Sequence, residues 1–168
     1  RLREYYWPDG KSLNRDVIAK PVKHLAKQAK IKIPKGTRFL MVMGKKPGPA
    51  DRFSGEKISL VLTLWKWNNF NEMIKRIKVM LDFSGEGHSI SIHSTKEDRH
   101  VELATQMNVG RVNCNMPHAM ANSGSWFNGQ SFTDSLGGGT WAGNNTSENI
   151  IWKHFLNYTC LSVPIPEF

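Results

Sequence analysis

Cysteine is scarce. Cys114 and Cys160 are the two in 168 residues, too few for a disulfide framework or a structural zinc site. No stretch approaches the ~20 consecutive apolar residues that a membrane-spanning helix requires. Residues 1–7 contain neither an initiator Met nor the apolar centre of a leader peptide, and read as neither a signal peptide nor a natural N-terminus. A reduced, cytoplasmic setting is the resulting expectation. Acidic side chains are also few, 14 Asp+Glu against 23 Lys+Arg, for a net charge of +9. The shortage is local: residues 1–46 hold 13 basic and 3 acidic side chains, residues 47–168 hold 10 and 11. Such a basic face strengthens encounters with polyanions. High charge alone is only the first mark of a nucleic-acid binder, and no basic motif interleaved with aromatics accompanies it. A solvated helix face is the favoured reading of the charge.

What is present suffices for a packed core, since 39% of the residues are hydrophobic. The length suits one domain or a piece of a larger one. After Pro21, Val22, Leu25, Ala26 and Ala29 recur at helical spacing, with Lys20, Lys23, His24, Lys27 and Lys30 on the other side. That predicts an amphipathic helix opened by proline, with Pro34 beyond its end. Residues 37–43 read as a buried strand. Residues 59–67, apolar at nearly every position, read as a strand covered on both faces. Asn69 and Glu72 form an N-cap pair for a helix whose stripe is Phe70, Met73, Ile74, Ile77 and Leu81. Residues 88–93 are strand-like. Thr95 is placed to cap a helix that Gly110 would end, and residues 111–115 form another short strand. Residues 117–145 form a long loop with six of the 14 glycines, a length that usually marks function. Asn145 and Glu148 are expected to open a last helix through Ile151 and Phe155. The alternation predicts an α/β fold, strands and helices around a largely parallel sheet.

Few residues advertise chemistry by themselves. Neither cysteine lies in a setting that would favour a thiolate. On a strand, His88 and His93 point to opposite faces, so a shared metal is not expected and no metal site is assigned. His88 follows Gly87 at a strand start, where α/β folds expose functional groups. It is retained as a candidate against the alternative of a hydrogen-bonded structural histidine. Glu56, just ahead of the strongest strand, could accept hydrogen bonds from a ribose diol or be a surface charge. Residues 136–140 (LGGGT) lack the lysine of a phosphate loop and suit a packing turn better.

In order, the segments Leu13-Asn14-Arg15-Asp16, Ser54-Gly55-Glu56-Lys57-Ile58-Ser59, Gly87-His88-Ser89 and Arg111-Val112-Asn113 resemble the aldehyde dehydrogenase superfamily. Together with Asn128-Gly129-Gln130-Ser131-Phe132, residues 136–144, Ser147-Glu148-Asn149 and residues 154–157, they resemble more narrowly its CoA-acylating group. The resemblance implies a cysteine thiolate that attacks an aldehyde, hydride transfer to NAD or NADP, and passage of the acyl group to coenzyme A. It assigns Glu56 to the nicotinamide ribose and His88 to the neighbourhood of the active site, both on the cofactor side. It places the nucleophile upstream of this chain, so no catalytic residue is assigned within it. Residues 1–157 are then expected to be a partial catalytic domain, and residues 158–168 an oligomerisation strand and tail. Ala19 stands where the family usually has glycine, Leu60 where it has proline, and Gly138 where cysteine is frequent. The expected partners are a small aldehyde and further copies of the chain, with no membrane, and the isolated chain is expected to be inactive. The rival readings are a non-catalytic assembly module of the same fold and a basic nucleic-acid-binding domain.

Overall fold

The computed structural model describes residues 1–166 and divides into two compact units, Arg1–Gly85 and Glu86–Phe168. The first contains helix α1 (Leu2–Tyr6), helix α2 (Val22–Gln28), strands β1 (Leu40–Met43) and β2 (Val61–Leu64), and helix α3 (Phe70–Phe83). The second contains β3 (Gly87–Ile92), helix α4 (Glu97–Gln106), β4 (Val109–Cys114) and helix α5 (His118–Asn122). β1 pairs with β2 and β3 with β4, both in parallel. Parallel strands need a crossover to join them, and α4 supplies it in the second unit. The expected α/β alternation is therefore present, built as two strand pairs.

In the first unit the apolar residues close on one centre: Tyr6, Val17, Leu25 and Phe53 are all but inaccessible to solvent, and Val22, Leu40 and Val61 pack with them. The predicted amphipathic stripe puts Val22, Leu25 and Ala26 inward. Asp51 is buried beside this core. Arg3 grips its carboxylate from two nitrogens, and the Lys45 and Phe53 amides donate to it as well. The Asn69 side chain accepts from the Glu72 amide and starts α3 as expected. The Glu72 carboxylate accepts from the amide of Asn68, at 2.9 Å, one residue before the cap.

Several expected boundaries move. The strands at 37–43 and 59–67 shrink to four residues each, the length over which Leu40–Met43 and Val61–Leu64 pair with one another in register. Their outer faces are bare: Met41, Met43, Leu62 and Leu64 are exposed, so within its unit this pair is covered on one face only. Thr95 does not cap α4. The Ser94 hydroxyl accepts from the Lys96 amide at 3.1 Å, and the helix starts at Glu97. Gly110 does not end that helix but lies inside β4, since Met107 and Val109 are buried by extending the chain straight after Gln106. The last helix is absent. The Glu148 carbonyl accepts from the Gly137 amide, and Leu136 bridges Asn149, so the backbone is committed to the glycine loop and only a short 3-10 turn, Trp152–Phe155, follows. The stretch 117–145 is not wholly irregular, as it includes α5 and a 3-10 turn at Thr140–Ala142. The tail expected at 158–168 has neither helix nor strand up to residue 166, and residues 167 and 168 lie outside the described residues.

Candidate functional site

Glu56 and His88 lie in different units. Glu56 is exposed on the segment between the 3-10 turn Arg52–Ser54 and β2, and no hydrogen bond engages its carboxylate among the described residues. Both oxygens are thus free to accept from a diol. The neighbouring Lys57 ammonium turns the other way and donates to the carbonyls of Phe53 and Gly55, at 2.9 and 2.8 Å. Burial lowers its pKa, only partly opposed by Asp51 and Glu56. Across the same turn, the amide of Ala19 donates to the Ile58 carbonyl at 2.8 Å. Ala19 and Ile58 both adopt left-handed backbone, at φ +53° and +46°, a costly conformation for a residue with a side chain and rare for a β-branched one.

His88 opens the second unit's strand pair. Gly87 before it has φ +77°, and a Cβ there would stand 2.3 Å from the Gly138 carbonyl oxygen. Only glycine allows that approach, and it brings the glycine loop against the start of β3. Gly137 is equally confined, since its Cβ would lie 2.3 Å from the Thr146 oxygen. The loop is a packing turn, as its missing lysine suggested.

Behind His88 lies a connected set of polar groups that the sequence did not announce. His88 Nδ1 is 2.7 Å from Ser89 Oγ, and His118 Nε2 reaches the same oxygen at 2.8 Å. Asn122 Nδ2 donates to it at 2.8 Å, while Asn122 Oδ1 accepts from Asn113 Nδ2 at 2.6 Å. Arg111, 5% exposed, donates to Asn149 Oδ1 at 2.7 Å and to the carbonyls of Gly137, Ser147 and His88. The Asn149 amide in turn donates to the carbonyls of Asn122 and Ser131. Burial lowers the pKa of Arg111 without changing that it stays charged. Burial also lowers the pKa of His118, with the nearby His88 adding to the effect. A cleft of about 350 Å³ opens beside Arg111, lined also by Gln130, Ser131 and Ser147, and the buried Gln130 Oε1 has no hydrogen-bond partner there. Alternation along β4 (Arg111 and Asn113 inward with Val109) was the one sequence signal for this network. A polar residue at an inward strand position requires buried partners.

The cysteines hold no such place. Burial pushes the Cys114 thiol up, away from thiolate, and Cys160 is exposed in the tail. Among the described residues no three His, Cys, Asp or Glu side chains gather as a metal site. No helix among them is long and apolar enough to cross a membrane.

No protein-family model matches the chain. It is 37% identical to an acylating sulfoacetaldehyde dehydrogenase of Bilophila wadsworthia over 98% of its own length and 36% of that protein's. It is 32% identical to an acetylating succinate-semialdehyde dehydrogenase of Clostridium kluyveri over 94% of this chain and 34% of the relative. A solved structure of a probable aldehyde dehydrogenase from Listeria monocytogenes is similar with a TM-score of 0.92 at 25% identity, covering 99% of this chain and 36% of that one. The chain thus spans about a third of the length of the relatives it matches. Over that third, the chain belongs to the aldehyde dehydrogenase superfamily, in its CoA-acylating group.

Proposed function

We propose that this chain is part of an NAD(P)-dependent, CoA-acylating aldehyde dehydrogenase of the cytoplasm, which converts an aldehyde to an acyl-CoA or runs the reverse reaction. The observation that carries the reading is the match, over nearly the whole chain, to enzymes named for that chemistry. The nicotinamide cofactor, when bound, accepts the hydride. Glu56 suits it, because an exposed carboxylate with no competing hydrogen bond can accept from both hydroxyls of a ribose. The exposed His88 ring is steadied through Nδ1 by Ser89, which leaves Nε2 to hold or take a proton at the active site. Arg111 and the glycine turn fix the backbone of His88 from behind.

Two features fit a chain that works inside a larger assembly. The bare apolar face of Met41, Met43, Leu62 and Leu64 on the β1–β2 pair needs a cover. Tyr158, Leu161, Val163 and Ile165 project from a tail with no sheet partner among the described residues, which suits a strand exchanged between copies of the chain. We assign residues 158–168 that role and residues 1–157 to the catalytic domain, with the nucleophile supplied from outside them.

The test uses the intact protein that carries this sequence, with aldehyde, CoA and NAD or NADP. Aldehyde-dependent reduction of the cofactor with acyl-CoA formation is expected. Glu56→Gln should raise the cofactor KM about tenfold, worth about 1.4 kcal/mol, and leave the oligomeric state unchanged. No cofactor reduction with any aldehyde tried would overturn the reading. Cofactor reduction by the 168-residue chain alone would overturn the assignment of the nucleophile to a segment outside it.

A further inference from the structure

Ser89 stands between two imidazoles. Its hydroxyl has one proton to give and two lone pairs to receive. Asn122 Nδ2 fills one lone pair at 2.8 Å, and its orientation is fixed because Asn122 Oδ1 accepts from Asn113. One lone pair and one proton remain, and two ring nitrogens face them, His88 Nδ1 at 2.7 Å and His118 Nε2 at 2.8 Å. One ring must therefore donate to Oγ while the other accepts from it. The two rings cannot choose independently.

We propose that Ser89 joins His88 and His118 into one proton-sharing pair, in which His118 is a positioning residue that decides which nitrogen His88 turns outward. When neutral His118 carries its proton on Nδ1, its Nε2 accepts from Ser89, and Ser89 accepts from His88 Nδ1–H. His88 Nε2 is then unprotonated and can act as a base. When His118 carries its proton on Nε2, the chain of donors reverses and His88 presents Nε2–H, a hydrogen-bond donor that cannot serve as a base. A proton taken up at the outward nitrogen of His88 leaves the first arrangement intact, since Nδ1 still donates to Ser89. A second proton on His118 would aim three donors at an oxygen with two lone pairs and strand the serine proton. The pair therefore holds one positive charge far more readily than two.

The surroundings add little charge of their own. β4 brings Arg111, which donates to the His88 carbonyl at 3.4 Å, and Cys114. α5 has no titratable side chain besides His118, and the turn Thr140–Ala142 has none. The fixed positive charge of Arg111 acts in the same direction as the shared hydroxyl, against a doubly charged pair. The half-buried setting of His118 does so too.

The link between the rings stands on geometry alone, while its use in catalysis rests on the reading of His88 given above. Ring-nitrogen NMR of the intact protein between about pH 5 and 8, where histidines titrate, tests the first. Signals of both rings should move in one common step, and Ser89→Ala should split that step into two independent ones. Independent titration in the unaltered protein, or a common step that survives Ser89→Ala, would overturn the pair. His118→Gln keeps a hydrogen-bonding side chain at Ser89 but cannot titrate, and tests the second. With His118→Gln, kcat should fall about tenfold, as for loss of part of a general acid–base contribution. Its pH profile should shift while KM changes less than about twofold. Shared titration with an unmoved kcat profile would uphold the pair and remove His88 from the reaction. A parallel loss of kcat at every pH, together with independent titration, would reduce His118 to a packing residue and overturn both.

Discussion

The two units keep their interiors together by different means. In residues 1–85 the centre is aromatic and aliphatic, with Tyr6 and Phe53 in tilted contact at 5.6 Å and one buried carboxylate, Asp51, held by Arg3. In residues 86–168 the deepest groups include Arg111, Asn113, Asn122 and Asn149, joined to one another and to loop carbonyls. Apolar packing tolerates exchange of shape at constant volume. A buried hydrogen-bond network does not, because each lost partner leaves another group unsatisfied. Charge divides the same way: residues 1–85 hold 19 basic and 7 acidic side chains, residues 86–168 hold 4 and 7. The tolerant unit presents Glu56 from its surface, and the exacting one fixes the orientation of His88.

The largest expected effect lies in the second unit. Arg111→Leu removes every donor now held by Asn149 Oδ1 and the carbonyls of Gly137 and Ser147. At ~1–3 kcal/mol for each stranded group, the loss should reach about 4 kcal/mol or more. Hydrogen exchange should show β3 and β4 opening while β1 and β2 keep their protection. Equal loss in both pairs would break the division drawn above.

Phe53→Ala should cost about 3–4 kcal/mol in the first unit by leaving a cavity, yet Phe53→Leu should cost much less, about 1.5 kcal/mol. The matching exchange in the second unit, Asn113→Leu, is also close in volume but should cost about 2–3 kcal/mol, since the Asn122 amide oxygen loses its donor. Denaturant midpoints of the three variants order these costs. If Asn113→Leu proved as mild as Phe53→Leu, the network would be an ornament on an apolar core.

Acid should separate the units in pH. Burial pushes the Asp51 carboxyl up, but hydrogen bonds from Arg3, Lys45 and Phe53, and the Arg3 charge, outweigh it and hold the group at about 2 against an ordinary 3.8. A lowered carboxyl contributes stability that is full above its unfolded value and lost as pH falls toward the folded one. For Asp51 that is about 2 kcal/mol, lost between about pH 4 and pH 2. His118 is lowered as well, and for a histidine the sign is opposite in charge though not in direction. The unfolded chain takes up the proton first, so the second unit should begin to weaken as pH falls below about 6.5. Residue-resolved exchange at pH 5 should therefore find β3–β4 already weakened and β1–β2 at full strength.

Periodicity made the first unit largely legible. The stripe of Val22, Leu25 and Ala26, the Asn69 cap and the strands near 40 and 61 all follow from local pattern, and all are present. The second unit was legible in its strands but not in its interior. Ser89 and His118 are 29 residues apart, Arg111 and Asn149 are 38, and no local rule joins polar residues at such separations. The expected final helix failed for the same reason: Asn145 and Glu148 satisfy the local rule for a cap, but the glycine loop competes for that backbone and wins. Glu56 and His88 entered through family resemblance and strand-edge position. The hydroxyl and second imidazole behind His88 required the fold.

The smallest effect tests whether the strained turn at Ala19 is needed by the first unit. Ala19 holds φ +53° without a glycine's freedom. A left-handed alanine costs roughly 1 kcal/mol, but a glycine there also gives the unfolded chain more freedom, which offsets part of the gain. Ala19→Gly should therefore stabilise the first unit by only about 0.5 kcal/mol, read as a small rise in its denaturant midpoint with the second unit unmoved. The amide of Ala19 binds the Ile58 carbonyl two residues past Glu56, so relief of strain at one end of that bond is felt at the other. If Ala19→Gly gained stability and raised the cofactor KM together, the strained turn would be holding Glu56 in place. A gain in stability with KM unchanged would make the strain at Ala19 incidental to the site.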